Sequence, residues 1–145
     1  FLNKFNVNVK LSEKEIDGEK KLMVHYKNSD VSFYSVASSG TKSLALFFYW
    51  FTQMEEASFV FMDEFDAFYH FELAKEIVKL LLPLKKVQIL FTTHNTDLLS
   101  NDLLRPDCYF LMEDNRITAL SNLTEKDIRK AHNLQKMFKA GAFNV

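Results

Sequence analysis

Apolar and polar residues alternate through Phe5, Val7, Val9 and Leu11, the period of a half-buried strand. Asp17-Gly18 offers a hairpin turn, "KKLMVHYK" alternates again, and "VSFYSV" reads as a third short strand. Residues 1–36 are therefore expected to form a small antiparallel meander. The period then changes. Leu44, Phe47, Phe48 and Phe51 recur at helical spacing, predicting a helix from Ser39 to about Met54. The apolar run Phe59–Met62 predicts a buried strand. A helix over 70–82 stops near Pro83, and "VQILFTT" predicts a second buried strand over 87–93. A short helix is expected over 96–101, then a strand pair, "DCYFLMED" and "RITALS", turning at Asp114-Asn115. A final helix from Thr124 would be capped by Thr124 and Asp127. Strand, helix, strand in the middle implies a right-handed crossover and a parallel pair. The expected fold is thus α/β: a mostly parallel sheet with flanking helices, and a small antiparallel element at the start.

Composition narrows the class without naming a function. A chain of 145 residues, 48% hydrophobic and 26% charged, suits one globular domain with a real core. Fifteen Phe predict an aromatic-rich interior. The net charge of −1 gives no global electrostatic case for nucleic acid or membrane. A single cysteine, Cys108, excludes an internal disulfide and fits a cytoplasmic location. Its place beside aromatic residues in a predicted strand makes it a buried, inert thiol. No apolar run reaches membrane-spanning length. The chain starts at Phe1 rather than Met and opens within its first predicted strand, so it reads as a piece of a longer protein.

The chemistry gathers at the carboxyl ends of the two central strands, where sites in parallel sheets form. "FVFMDEFD" delivers Asp63, Glu64 and Asp66 at the end of one. One carboxylate there can hold a hydrated magnesium ion, and its neighbour can orient or deprotonate water. The bland alternative is a solvated turn. "QILFTTHN" places His94 at the end of the other strand, where an imidazole can donate to phosphate oxygen or ligate a metal. "ASSGTKS" sets Ser38, Ser39, Gly40 and Thr41 at the start of a strong helix, an anion-binding geometry or an ordinary N-cap. It is not a nucleotide-cradling loop, because GxxxxGK followed by Ser or Thr is absent. The aromatic stripe Phe47, Phe48, Trp50, Phe51 reads as core or domain contact, and Lys126, Arg129 and Lys130 as a solvated helix face.

In order and spacing, "SSGT" before a helix, then "FVFMDE", then "TTHN", resembles the C-terminal half of an ABC-type ATPase of the SMC-like class. Within that class it is most similar to the bacterial AAA ATPases with an SSGTK signature that serve anti-phage defence and abortive infection. The tail "IRKAHNLQKMFKAGAF" shares this likeness. The resemblance implies that residues 37–145 carry the signature, Walker B, D-loop and H-loop. Ser38, Ser39, Gly40 and Thr41 would be the signature, contacting ATP on a second protomer. Asp63 would sit on the Mg2+ shell and Glu64 would position water. Asp66 would begin the D-loop, and His94 would sense the γ-phosphate. Ser39 and Thr41 stand where transporters carry Gly and Gln, which favours the defence type. His70-Phe71 replaces a common His-Pro, and Ala142 follows Gly141 where relatives often have Arg.

The implied activity is ATP hydrolysis by a sandwich dimer that regulates an effector protein. The Walker A loop and Q-loop would lie outside these residues, leaving the chain alone inactive. Two alternatives stand beside this. One is a metal-dependent nuclease of the topoisomerase-primase type, in which Asp63, Glu64 and Asp66 bind metal directly and Asp107 or Glu113 adds a further acid. The other is a degenerate interaction module. Nucleic acid stays open as a partner, and a membrane is not expected.

Overall fold

The computed structural model describes residues 1–125, 128 and 132–143. The chain divides into two compact units, residues 1–62 with 84–90, and residues 63–83 with 91–145.

In the first unit, β1 (Leu11–Ile16), β2 (Glu19–Tyr26) and β3 (Ser29–Ser32) form an antiparallel sheet in that order. The register pairs Ile16 with Glu19 and Val24 with Val31. The first turn needs two left-handed residues, and Asp17 (φ 57°) and Gly18 (φ 76°) supply them. His25 in β2 is exposed and bonds Asp30, its register partner in β3, at 2.6 Å. The N-terminus departs from expectation. Leu2–Phe5 is a 3-10 helix, so the chain does not open within a strand. The alternation of Phe5, Val7 and Val9 mimics a strand, but the Phe1 ring packs against Phe5 and Phe48, with centroids at 5.0 and 4.5 Å, and this packing prevails. Likewise "VSFYSV" is a strand only to Ser32. Phe33–Val36 is a short helix, α1, with Phe33 fully buried.

Helix α2 (Ser39–Phe51) follows and buries Leu44. Its apolar character continues around the helix, and Leu46, Tyr49 and Trp50 are each more than half exposed. Strands β4 (Phe59–Met62) and β5 (Gln88–Phe91) form the parallel pair, joined at its start by Gln88 N–H donating to Ser58 O at 3.0 Å. They are not buried on both faces as the apolar runs predict. Val60, Met62, Ile89 and Phe91 are half-buried, whereas Phe59, Phe61 and Leu90 on alternate positions face solvent. The expected aromatic interior is met in part: Phe33 and Phe143 are buried and Phe65, Phe71 and Phe91 pack against a core, but other phenylalanines stay outside it. Phe48, Phe59, Phe61, Phe68 and Phe110 are all exposed.

The second unit is built on α3 (Phe71–Leu81). Ala74, Ile77, Val78 and Leu81 repeat at i, i+3, i+4, i+7 and are all buried. Ala74 and Val78 pack with Leu98 and Leu103, and Phe65, Tyr69 and Phe91 close around them. His70 caps the helix, its Nδ1 accepting Leu73 N–H at 3.3 Å, and Pro83 follows its end. The helix predicted over 96–101 is a single 3-10 turn, Thr96–Leu98. Strands β6 (Phe110–Glu113) and β7 (Arg116–Ala119) form the expected hairpin, with Asp114 (φ 45°) and Asn115 (φ 63°) in its turn. Cys108 is neither in a strand nor buried. It is exposed in the 3-10 turn Pro106–Cys108.

Helix α4 (Leu134–Lys139) is capped by Asn133. Thr124 lies outside any element. The expected cap Asp127 and the basic residues Lys126, Arg129 and Lys130 lie outside the described residues. Leu120, Leu134 and Phe143 make a second core. Three of the four described strand pairings are antiparallel, and the parallel arrangement is confined to β4–β5 among the described residues. No helix among them is long and apolar enough to cross a membrane.

Candidate functional site

Asp63 directly follows β4, and the chain turns there for a physical reason. Glu64 adopts a left-handed backbone with φ 43°. A non-glycine residue in that region costs about 1–3 kcal/mol and persists only where its surroundings hold it. The holding group is Thr92, directly after β5. Its Oγ1 accepts the Glu64 N–H at 2.7 Å and donates its own proton to Asp63 Oδ1 at 2.6 Å. Its carbonyl accepts Phe65 N–H at 3.2 Å. Consecutive residues on a continuing strand would point to opposite faces. The left-handed turn breaks that alternation, and both acids engage the end of β5. Glu64 Oε1 lies 3.4 Å from His94 Nε2, with both side chains largely exposed.

The turn continues through Ala67 N–H to Glu64 O at 3.0 Å and Tyr69 N–H to Asp66 O at 2.9 Å. Glu64, Asp66, Ala67, Tyr69, His94 and Asn95 line an open cavity of about 320 Å³. The segment beyond His94 is held firmly. Thr93 Oγ1 accepts Asn95 N–H at 2.9 Å, and Asn95 Oδ1 accepts Asp97 N–H at 3.0 Å. Gln135 Nε2 donates to Asp97 Oδ1, which ties α4 to this turn. The Tyr109 hydroxyl lies 2.8 Å from Leu98 O and 2.9 Å from Ser100 O and accepts Ser100 N–H at 3.1 Å. Burial pushes the Tyr109 phenol above its usual value, as expected for a group whose charged form would be desolvated.

Four predicted residues, Asp63, Glu64, Asp66 and His94, therefore come together in the second unit. The other four belong to the first unit, at the start of α2. Ser38 is the N-cap, its Oγ accepting Thr41 N–H at 3.1 Å and lying 2.9 Å from Thr41 Oγ1. Ser39 and Gly40 are the first two helical residues. Ser38 and Ser39 are exposed, and Gly40 and Thr41 are partly so. Sequence reasoning missed Thr92. Its only signal was a hydroxyl-bearing residue two positions before His94, where the strand ends.

The donor set fits magnesium. Asp63 and Glu64 offer hard carboxylate oxygens, and Thr92 occupies one of the two oxygens of Asp63. Among the described residues no group of three or more His, Cys, Asp or Glu side chains is placed to hold a metal by itself. Asp107 is paired with Arg105 at 2.7 Å, and Glu113 is exposed at the end of β6.

No curated protein matches the chain. Comparison with protein families matches residues 3–100 to the family described as "AAA domain, putative AbiEii toxin, Type IV TA system". That span runs from the N-terminal 3-10 helix through the Ser38 loop, Asp63, Glu64 and His94, and it is well over half of the sequence, so the chain belongs to this AAA domain family.

Proposed function

We propose that this chain is the signature, Walker B and H-loop lobe of an ABC-type ATPase of the SMC-like class, which hydrolyses ATP and regulates an effector in bacterial anti-phage defence. The observation that carries the reading is the meeting of Asp63, Glu64 and His94 at the ends of β4 and β5, beside an open cavity. Glu64 orients and polarises a water for attack on the γ-phosphate. His94 donates to a γ-phosphate oxygen. Asp63 holds a magnesium ion through water, and that ion offsets phosphate charge when bound. Asp66, in the turn after Glu64, belongs to the segment that meets the partner protomer. The Ser38–Thr41 helix start presents its first-turn N–H groups to the phosphates of a nucleotide held by that partner. The phosphate-cradling loop of each protomer comes from residues other than these. The nuclease alternative leaves the Ser38 helix start without a role.

Replacing Gly40 tests the trans arrangement. Gly40→Trp in the full-length protein places a large side chain where the backbone must approach the partner's nucleotide closely. ATP binding to each protomer should survive, while ATP-driven dimerisation and hydrolysis should fail. Chromatography with light scattering, with and without ATP, reads the outcome. A Gly40→Trp protein that dimerises with ATP as the parent does removes the signature assignment.

A further inference from the structure

Thr92 makes contacts that none of the roles above requires of it. Its hydroxyl has one proton and lone pairs, and it uses both kinds of valence at once. The proton goes to Asp63 Oδ1 at 2.6 Å, and a lone pair takes the Glu64 N–H at 2.7 Å. Only a short hydroxyl side chain can donate to one residue and accept from the next at this reach. Valine has the same shape and can do neither. The two bonds act on the magnesium acid and on the strained backbone of the water-orienting acid (φ 43°). A third, from Phe65 N–H to the Thr92 carbonyl at 3.2 Å, fixes the turn that follows. Phe65 also packs against Phe91, the residue before Thr92, with ring centres 4.6 Å apart and the rings tilted by 57°.

We infer that Thr92 is the positioning residue of the site: its hydroxyl clasps the Asp63 carboxylate and the Glu64 backbone N–H, and so sets both acids at one strand edge for phosphoryl chemistry. This rests on the ATPase reading for its kinetic consequence, but not for its structural one. Thr92 acts through the two acids. A general base displaced by about 1 Å loses on the order of 10²-fold in rate. A lost clasp should therefore appear in kcat. Nucleotide affinity, which comes mainly from other groups, should hardly change.

The test uses the full-length protein with Thr92→Val, Thr92→Ala and Thr92→Ser. Two readouts are taken, steady-state hydrolysis of magnesium-ATP and hydrogen exchange at the Glu64 amide by NMR. Thr92→Val and Thr92→Ala should lower kcat by about 10²-fold with KM within about threefold of the parent. Thr92→Ser should retain kcat within about threefold, because it restores the hydroxyl. The Glu64 amide should exchange faster in the Val and Ala proteins and stay protected in the Ser protein. If Thr92→Val does not fold, the Ala and Ser pair decides. Parental kcat in a variant without the hydroxyl, or a folded Ser protein as slow as the Ala protein, overturns the inference. A parent that does not hydrolyse ATP sinks the ATPase reading alone. Exchange at Glu64 then judges the clasp by itself: protection lost in Ala and kept in Ser upholds it, and equal protection in both overturns it.

Discussion

Replacing Glu64 with Gln in the full-length protein is expected to lower ATP hydrolysis by about 10²–10⁴-fold, the usual worth of a positioned general base. Glutamine keeps the length and shape of the side chain. It also keeps the backbone bond from the residue 64 N–H to Thr92 Oγ1, because that bond involves no carboxylate. What is lost is the negative oxygen that lies 3.4 Å from His94 Nε2. Glutamine can still hydrogen-bond a water but cannot take its proton. Nucleotide binding should therefore be intact, and the ATP-bound dimer should accumulate because it can no longer proceed. Phosphate release together with chromatography in ATP measures both. Turnover at the parental rate would take Glu64 out of the role of base.

The second large effect concerns the chain by itself. The 145 residues are expected to show no measurable ATP hydrolysis and no micromolar ATP binding. Asp63, Glu64 and His94 are all present, but GxxxxGK followed by Ser or Thr is not. Backbone N–H groups and a lysine of that loop hold the β- and γ-phosphates, and without them nothing sets the phosphate in line for attack. Positioning of this kind is worth about 7 kcal/mol or more. Calorimetric titration with magnesium-ATP and a phosphate-release assay on this chain read the result. Steady turnover would revive the reading in which Asp63, Glu64 and Asp66 bind metal directly.

Much of the site was legible because its signals are local. The Asp17-Gly18 and Asp114-Asn115 turns and the helix that stops at Pro83 need no tertiary information, and each stands where the sequence predicts it. The ends of β4 and β5 were readable for the same reason, since an apolar run gives way abruptly to acids in one and to Thr and His in the other. Other features depend on neighbours that a linear pattern does not specify. Phe5, Val7 and Val9 alternate like a strand, yet the packing of Phe1 against Phe48 of α2 decides that segment. Phe59 and Phe61 are as apolar as Val60 and Met62, and only the fold separates the solvent face from the covered one. Cys108 lies beside a strand but inside a 3-10 turn that starts at Pro106. Thr92 is the clearest case. Its importance comes from lying opposite Asp63, 29 residues away in sequence, and no periodicity carries that pairing.

Complementation between two inactive variants separates a shared site from one built within a single protomer. In the proposed head-to-tail sandwich, each site would take Asp63, Glu64 and His94 from one protomer and the Ser38 loop from the other. A full-length Gly40→Trp protomer has an intact Glu64, and a full-length Glu64→Gln protomer has an intact Ser38 loop. Mixing them assembles one complete site per mixed dimer, although neither variant has a complete site with itself. The mixture should hydrolyse ATP at a readily measured fraction of the parental rate while each variant alone is inactive. A mixture no more active than its separate components, with mixed dimers shown to form, would contradict it.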